Sequence, residues 1–152
     1  MKHIIISISD SDKHFDTAIA EYKKRMWKSL EIINIKPIKY GEREIIITKE
    51  TDLLIDKIKK IKKKLPESSV FLLTKWWKQW STESLNTYIN ISQTYIFIIW
   101  WPYGMDEEKL ASYVQKSMSF GLQTMPHGLA KLVLLEQLYR VSMIDKGRQY
   151  HY

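Results

Sequence analysis

The chain has 152 residues, with 24 Lys+Arg against 17 Asp+Glu, a net charge of +7 and no cysteine. That length holds one domain with a real core, but not two. Without cysteine, disulfides, a thiolate nucleophile and cysteine-bound metals are excluded, and the positive balance suits an anionic partner such as RNA without singling one out.

Only a short apolar run separates Lys2-His3 from Asp10, and no stretch approaches the roughly 20 apolar residues of a membrane span. A soluble, cytoplasmic protein is expected. Residues 4–8 open the chain as a buried strand, followed by an amphipathic helix from Asp12 to about Lys28, on which Phe15, Ala18, Ile19 and Tyr22 recur at helical spacing. Strands at 32–35, 70–73 and 95–99 follow. The runs are short, rich in isoleucine outside 70–73, and nearly continuous rather than alternating, which marks a sheet covered on both faces. Leu53, Leu54, Ile58 and Ile61 define a lysine-rich helix that stops before Pro66. Its run Lys57-Ile-Lys-Lys-Ile-Lys-Lys-Lys64 reads as a solvated helix face rather than an RNA-binding site. Ser81 offers an N-cap ahead of Leu85, Tyr88 and Ile89, and Asp106-Glu107-Glu108 starts a further helix at its favourable positive end. His3 and His14 are expected at the surface or a strand start, without chemistry. Strands alternating with helices predict an α/β fold with a mostly parallel sheet.

The C-terminus carries the most specific pattern. Pro126-His127 leads into an apolar helix bearing Glu136-Gln137-Leu138-Tyr139-Arg140, and the chain ends Gly147-Arg148-Gln149-Tyr150-His151-Tyr152. This succession of Pro-His, Glu-Gln-x-Tyr-Arg and Gly-x-x-Tyr-His resembles the RlmH family of SPOUT-class ribosomal RNA methyltransferases, and the likeness extends over essentially the whole chain. The resemblance implies a single SPOUT domain over residues 1–152 with a C-terminal trefoil knot and a homodimer. It also implies transfer of a methyl group from S-adenosylmethionine to N3 of a pseudouridine in large-subunit (23S) ribosomal RNA, within an assembled ribosome, with no metal.

Ligands of open α/β sheets bind beyond the carboxyl ends of the strands. Matched by resemblance, three loops there place Leu73, Trp100, Phe120, Gly121, Leu122, Gln123, Thr124 and Met125 at the cofactor. The same match puts Tyr150, His151 and Arg140 in the catalytic region, and Arg148, Tyr152 and His127 at the substrate. His151 is the tail residue whose ordinary pKa lies near neutrality, so it is the candidate proton acceptor. Glu136 and Arg140, at i and i+4, also fit a plain intrahelical ion pair. Lys131 stands where the family usually has arginine, which keeps the charge and loses the planar fork. Leu129, Leu132, Val133, Leu135, Leu138 and Val141 make the last helix apolar on more than one face, which suggests a second contact surface.

One departure is conspicuous. Trp77, Trp100 and Trp101 stand where the family has glycine, and Trp27 where glycine is frequent. Glycine tolerates positive φ and lets backbone approach a ligand; an indole at position 100 does neither. Three readings stay open: UGA codons read as tryptophan where the organism reads glycine, a remodelled cofactor site, or indoles that stack on RNA bases. A loop exposing Trp76, Trp77 and Trp80 would form an apolar patch. The alternative to an enzyme is a non-catalytic basic RNA- or ribosome-binding module, its cofactor site blocked by these tryptophans. A methyltransferase with another RNA target is a third reading.

Overall fold

The computed structural model describes residues 2–10, 13–89, 93–99 and 103–150. Five strands and five helices alternate along the chain: β1 Lys2–Ile8, α1 Asp16–Arg25, β2 Leu30–Ile35, α2 Arg43–Lys64, β3 Ser69–Leu73, α3 Thr82–Tyr88, β4 Thr94–Ile99, α4 Glu107–Ala111, β5 Lys116–Met118 and α5 His127–Asp145. The strands form one sheet in the order β2-β1-β4-β3-β5, and every pairing is parallel.

The isoleucine-rich runs have a simple origin. Successive side chains of a strand point to opposite faces, so a strand covered on both sides is apolar at nearly every position. Ile4, Ile6, Ile8, Val70, Leu72, Ile96 and Ile98 point to one face, where they meet Leu54, Ile55 and Ile58 of α2 and Leu110 of α4. Ile5, Phe71, Leu73, Tyr95, Phe97 and Ile99 point to the other, where Ile19 of α1, Leu85 of α3 and Leu134, Leu135, Leu138 and Val141 of α5 close over them.

The differences from the sequence reading are local. The first helix begins at Asp16 and ends at Arg25 rather than running to Lys28, because the chain turns at Met26, whose carbonyl accepts from both the main chain and the hydroxyl of Ser29. On α2 the buried stripe is Thr51, Leu54, Ile55 and Ile58, while Leu53 faces solvent. The fifth strand has three residues, and only Met118 is buried, too little for any periodic signal. His3 stands at the start of β1, one of the two places expected for it, and not at the surface. It is fully buried between the rings of Tyr95 and Phe97, and burial lowers its pKa to about 4. Neither ring nitrogen has a partner among the described residues, so it acts as a neutral aromatic filler. No helix among the described residues is long and apolar enough to cross a membrane.

Candidate cofactor and substrate site

Parallel strands bring their carboxyl ends together, and here β3 and β5 are neighbours. Their exit loops are sewn to each other. Thr74 donates its main-chain N–H to Met118, Gln79 and Ser119 form an isolated parallel bridge, and Ser119 donates its N–H to the Lys78 carbonyl. The Ser119 hydroxyl lies 3.0 Å from the carbonyl of Gly121, accepts from the Gly121 N–H at 3.0 Å, and reaches the Lys75 carbonyl at 3.4 Å. Ser119 is only 2% exposed. It is the residue that sequence reasoning missed, since a lone serine before a loop carries no signal.

The loop that Ser119 anchors contains six of the expected cofactor residues. Phe120 packs on the core, and Gly121 has φ +131°, a left-handed-side conformation that favours glycine. Leu122, Gln123 and Thr124 are exposed, with Met125 half-buried. The N–H groups of Leu122, Gln123 and Thr124 make no hydrogen bond to the described residues. Main-chain donors without a partner among the described residues suit the polar edge of a nucleoside. Leu73, by contrast, has its side chain buried in the core, so only its main chain is left for a ligand. Trp100 and Trp101 lie outside the described residues.

Of the other tryptophans, Trp80 is part of the core, edge-on to Phe71 and Tyr88; it does not belong to an exposed patch. Trp76 and Trp77 are 68% and 54% exposed, and Trp27 is 71% exposed. No described residue other than glycine has positive φ. At positions 27 and 77, therefore, an L-residue meets no backbone strain.

The tail is organised by the Glu-Gln-x-Tyr-Arg segment of α5. Helix α5 ends with Gly147 at φ +63°. The N–H of Gly147 bonds the Ile144 carbonyl and that of Arg148 the Met143 carbonyl, the paired bonds of a Schellman motif. This turn sends the chain back along its own helix. Arg140 receives it: Nη1 donates to the Tyr150 carbonyl at 3.0 Å, and the guanidinium sits 5.0 Å from the Tyr150 ring centroid. Its other edge grips Glu136, with Nη2 2.7 Å and Nε 3.1 Å from Oε1, which pushes the Arg140 pKa above its ordinary value. Gln137 donates to Glu136 and accepts from Thr82 of α3. The Tyr150 ring stands edge-on to Tyr139, which in turn is edge-on to Tyr22 of α1. Burial, then Tyr150 and Glu136, raise the Tyr22 pKa. The structure thus brings Arg140 and Tyr150 together. His151 and Tyr152 lie outside the described residues.

Arg148 is exposed, beside a cleft of about 380 Å³ that it lines with Glu83, Asn86, Thr87, Ile144 and Gly147. None of these belongs to the cofactor loops. His127 is half-buried at the start of α5. Lys131 is buried and donates to Asn34 Oδ1 at 3.1 Å, an oxygen that also accepts from Ser7. Among the described residues no cluster of His, Asp or Glu is placed to hold a metal ion.

A five-stranded parallel sheet covered by helices on both faces fits a SPOUT-type methyltransferase scaffold. Residues 1–151 match the family described as predicted SPOUT methyltransferase, and the chain belongs to that family. Its relatives include the ribosomal RNA large subunit methyltransferase H of Mycoplasmopsis pulmonis, 31% identical over 99% of each chain. The protein of the same name from Bacillus cytotoxicus is 33% identical over 97% of each. Among solved structures, a candidate RNA methyltransferase from Bacillus anthracis shares the fold, with a TM-score of 0.58 at 13% identity over 93% of this chain and 94% of that one.

Proposed function

We propose that this chain is a methyltransferase that uses S-adenosylmethionine to methylate large-subunit ribosomal RNA at N3 of a pseudouridine. It would work as a cytoplasmic homodimer whose C-terminal part is knotted. The observation that carries the reading is the end-to-end match to relatives named for that RNA, 31% identical over 99% of both chains. The half-buried Leu129, Leu132 and Val133 of α5 support a partner seam on that helix.

When bound, S-adenosylmethionine supplies an electrophilic methyl group on sulfur. The chain must then hold the base in line, exclude water and take the imide proton as N3 bonds to the methyl and the carbon–sulfur bond breaks. In this reading the loop 119–125 holds the cofactor through its main chain. Tyr150, positioned by Arg140, presents a stacking face to the base; His151 accepts the proton, and Arg148, Tyr152 and His127 contact the RNA.

The test is transfer of labelled methyl from S-adenosylmethionine to unmodified ribosomes, with the product nucleoside identified by mass spectrometry. Label in N3-methylpseudouridine is expected, and none in ribosomal RNA would refute the reading. The alternative of a non-catalytic RNA-binding module rests on Trp77, which by the family resemblance stands at a glycine position of the cofactor loops and is exposed. Calorimetric titration of S-adenosylmethionine into this chain and into a Trp77→Gly, Trp100→Gly, Trp101→Gly version separates the two. Binding to neither folded protein would favour the module.

A further inference from the structure

The positive charge of this protein is concentrated. Residues 57–64 contain six lysines and no acidic residue, so of the net +7 only +1 is left to the other 144 residues. These eight residues are the last two turns of α2. Ile58 turns fully into the core and Ile61 packs against it, while Lys59, Lys60, Lys63 and Lys64 are exposed and Lys57 and Lys62 half-buried. None of the six is ion-paired among the described residues, whereas Lys2, Lys39, Lys109, Arg25 and Arg140 each hold a carboxylate.

The fold accounts for only part of this arrangement, the Lys59 ammonium lying 5.7 Å from the centroid of the Tyr113 ring. Cations in the last turn of a helix gain roughly 0.3–1 kcal/mol from its dipole, but the effect fades beyond that turn. It covers Lys62, Lys63 and Lys64, not Lys57, Lys59 and Lys60. Lys59–Lys63 and Lys60–Lys64 are like-charge i,i+4 pairs, which destabilise a helix. The position is also informative. The helix ends just before β3 begins at Ser69, at the amino ends of the parallel strands and thus at the pole opposite the loops that follow β3 and β5.

We propose that the C-terminal two turns of α2 are a docking surface for the phosphate backbone of RNA, anchoring the substrate at the pole remote from the methyl-transfer loops. The proposal rests on the RNA reading above. Its occupant follows from charge complementarity: a segment about 12 Å long with a lysine at six of eight positions meets a polyanion. Flexible ammonium groups on one helix end hold phosphates without reading bases, so the contact is sequence-independent and sensitive to salt.

The test uses the full chain and a fluorescein-labelled 20-base-pair RNA duplex, titrated by anisotropy from 50 to 300 mM KCl. A Lys59→Gln, Lys60→Gln, Lys63→Gln, Lys64→Gln variant is compared with a control that removes four exposed lysines elsewhere, Lys13→Gln, Lys23→Gln, Lys24→Gln, Lys28→Gln. A version with arginine at the same four α2 positions guards against misfolding by keeping the charge. At 100 mM salt the α2 variant should lose at least about tenfold in affinity, with a log–log salt slope shallower by roughly 3.6 for four released contacts on a duplex. The control should lose less than about threefold, and the arginine version should bind like the original. Equal losses in both glutamine variants, no loss in either, or a native chain that does not bind the duplex would overturn the proposal. Methyl transfer is scored separately. Duplex binding through α2 without methylation of ribosomes would defeat the enzymatic reading alone, while methylation with an unchanged KM in the α2 variant would defeat the docking surface alone.

Discussion

Replacing Gly147 by alanine isolates the turn that carries the tail. Gly147 has φ +63°, and a Cβ built there meets no atom within 4 Å, so the whole cost is conformational, about 1–2 kcal/mol for an L-residue in the left-handed region. In a domain of this size each kcal/mol lowers the melting temperature by roughly 2–4 °C. Because the cost falls on the last turn, it is relieved most cheaply by undocking residues 148–150 from Met143 and Arg140. A docked population lowered by about 1.4 kcal/mol is a tenfold change. The Gly147→Ala protein should therefore show a small drop in melting temperature and a fall of up to about tenfold in kcat/KM for methyl transfer. Gly147→Asn, which tolerates the left-handed region better, should fall between the two. An alanine protein with both unchanged melting and full turnover, or an asparagine protein worse than the alanine one, would refute the reasoning.

Buried neutral His3 carries a pH prediction. Its folded pKa of about 4 lies below the ordinary 6.5, so its contribution is complete above pH 6.5 and is lost as pH falls towards 4. Chemical denaturation should show about 2.5 kcal/mol less stability at pH 4.5 than at pH 7.5 from this group, and His3→Phe should remove that increment. Ser119→Ala strips the hydroxyl from the Gly121 N–H and carbonyl. It should cost about 1–2 kcal/mol and weaken S-adenosylmethionine binding by calorimetry, whereas a distant surface serine should not. Arg140→Lys keeps the charge but cannot span both Glu136 and the Tyr150 carbonyl. A loss of about tenfold in turnover is expected, and unchanged kinetics would remove Arg140 from the site. In the gene, UGA codons at 27, 77, 100 and 101 are the expected result of a glycine-reading code, and UGG codons would end that explanation.

The fold class was legible because the physics that fixes it is local. A strand buried on both faces is apolar at nearly every position, and residues 4–8, 70–73 and 95–99 are, with Ser7 the exception and its hydroxyl satisfied by Asn34. The edge strand Lys116–Met118 was not legible, since an edge strand of three residues buries one side chain. The phase of α2 was misread at Leu53 because two adjacent leucines fit either stripe, and only the sheet decides which turns inwards. The strand start at His3 was legible but its burial was not, because its place beside Tyr95 and Phe97 depends on a strand some ninety residues away. Ser119 was silent for the same reason, since its partners belong to two loops that are adjacent only after β3 and β5 pair.

The C-terminal motif shows how such spacing comes to be informative. Glu136 and Arg140 looked explicable as a helix-surface ion pair, and that pair is present. Yet an i,i+4 pair along a helix contributes only a few tenths of a kcal/mol, and it explains neither Gln137 nor Tyr139 nor the glycine seven residues beyond Arg140. The Schellman turn at Gly147 needs glycine, and three residues later the chain lies again beside Arg140. There the guanidinium, already oriented by Glu136, meets the Tyr150 carbonyl and ring, and Tyr139 supplies the edge contact. Gln137 fixes Glu136 to Thr82 of α3. Each residue of the pattern therefore has one task in bringing position 150 to a defined place, and a substitution at any of them should act through the tail rather than through the stability of α5.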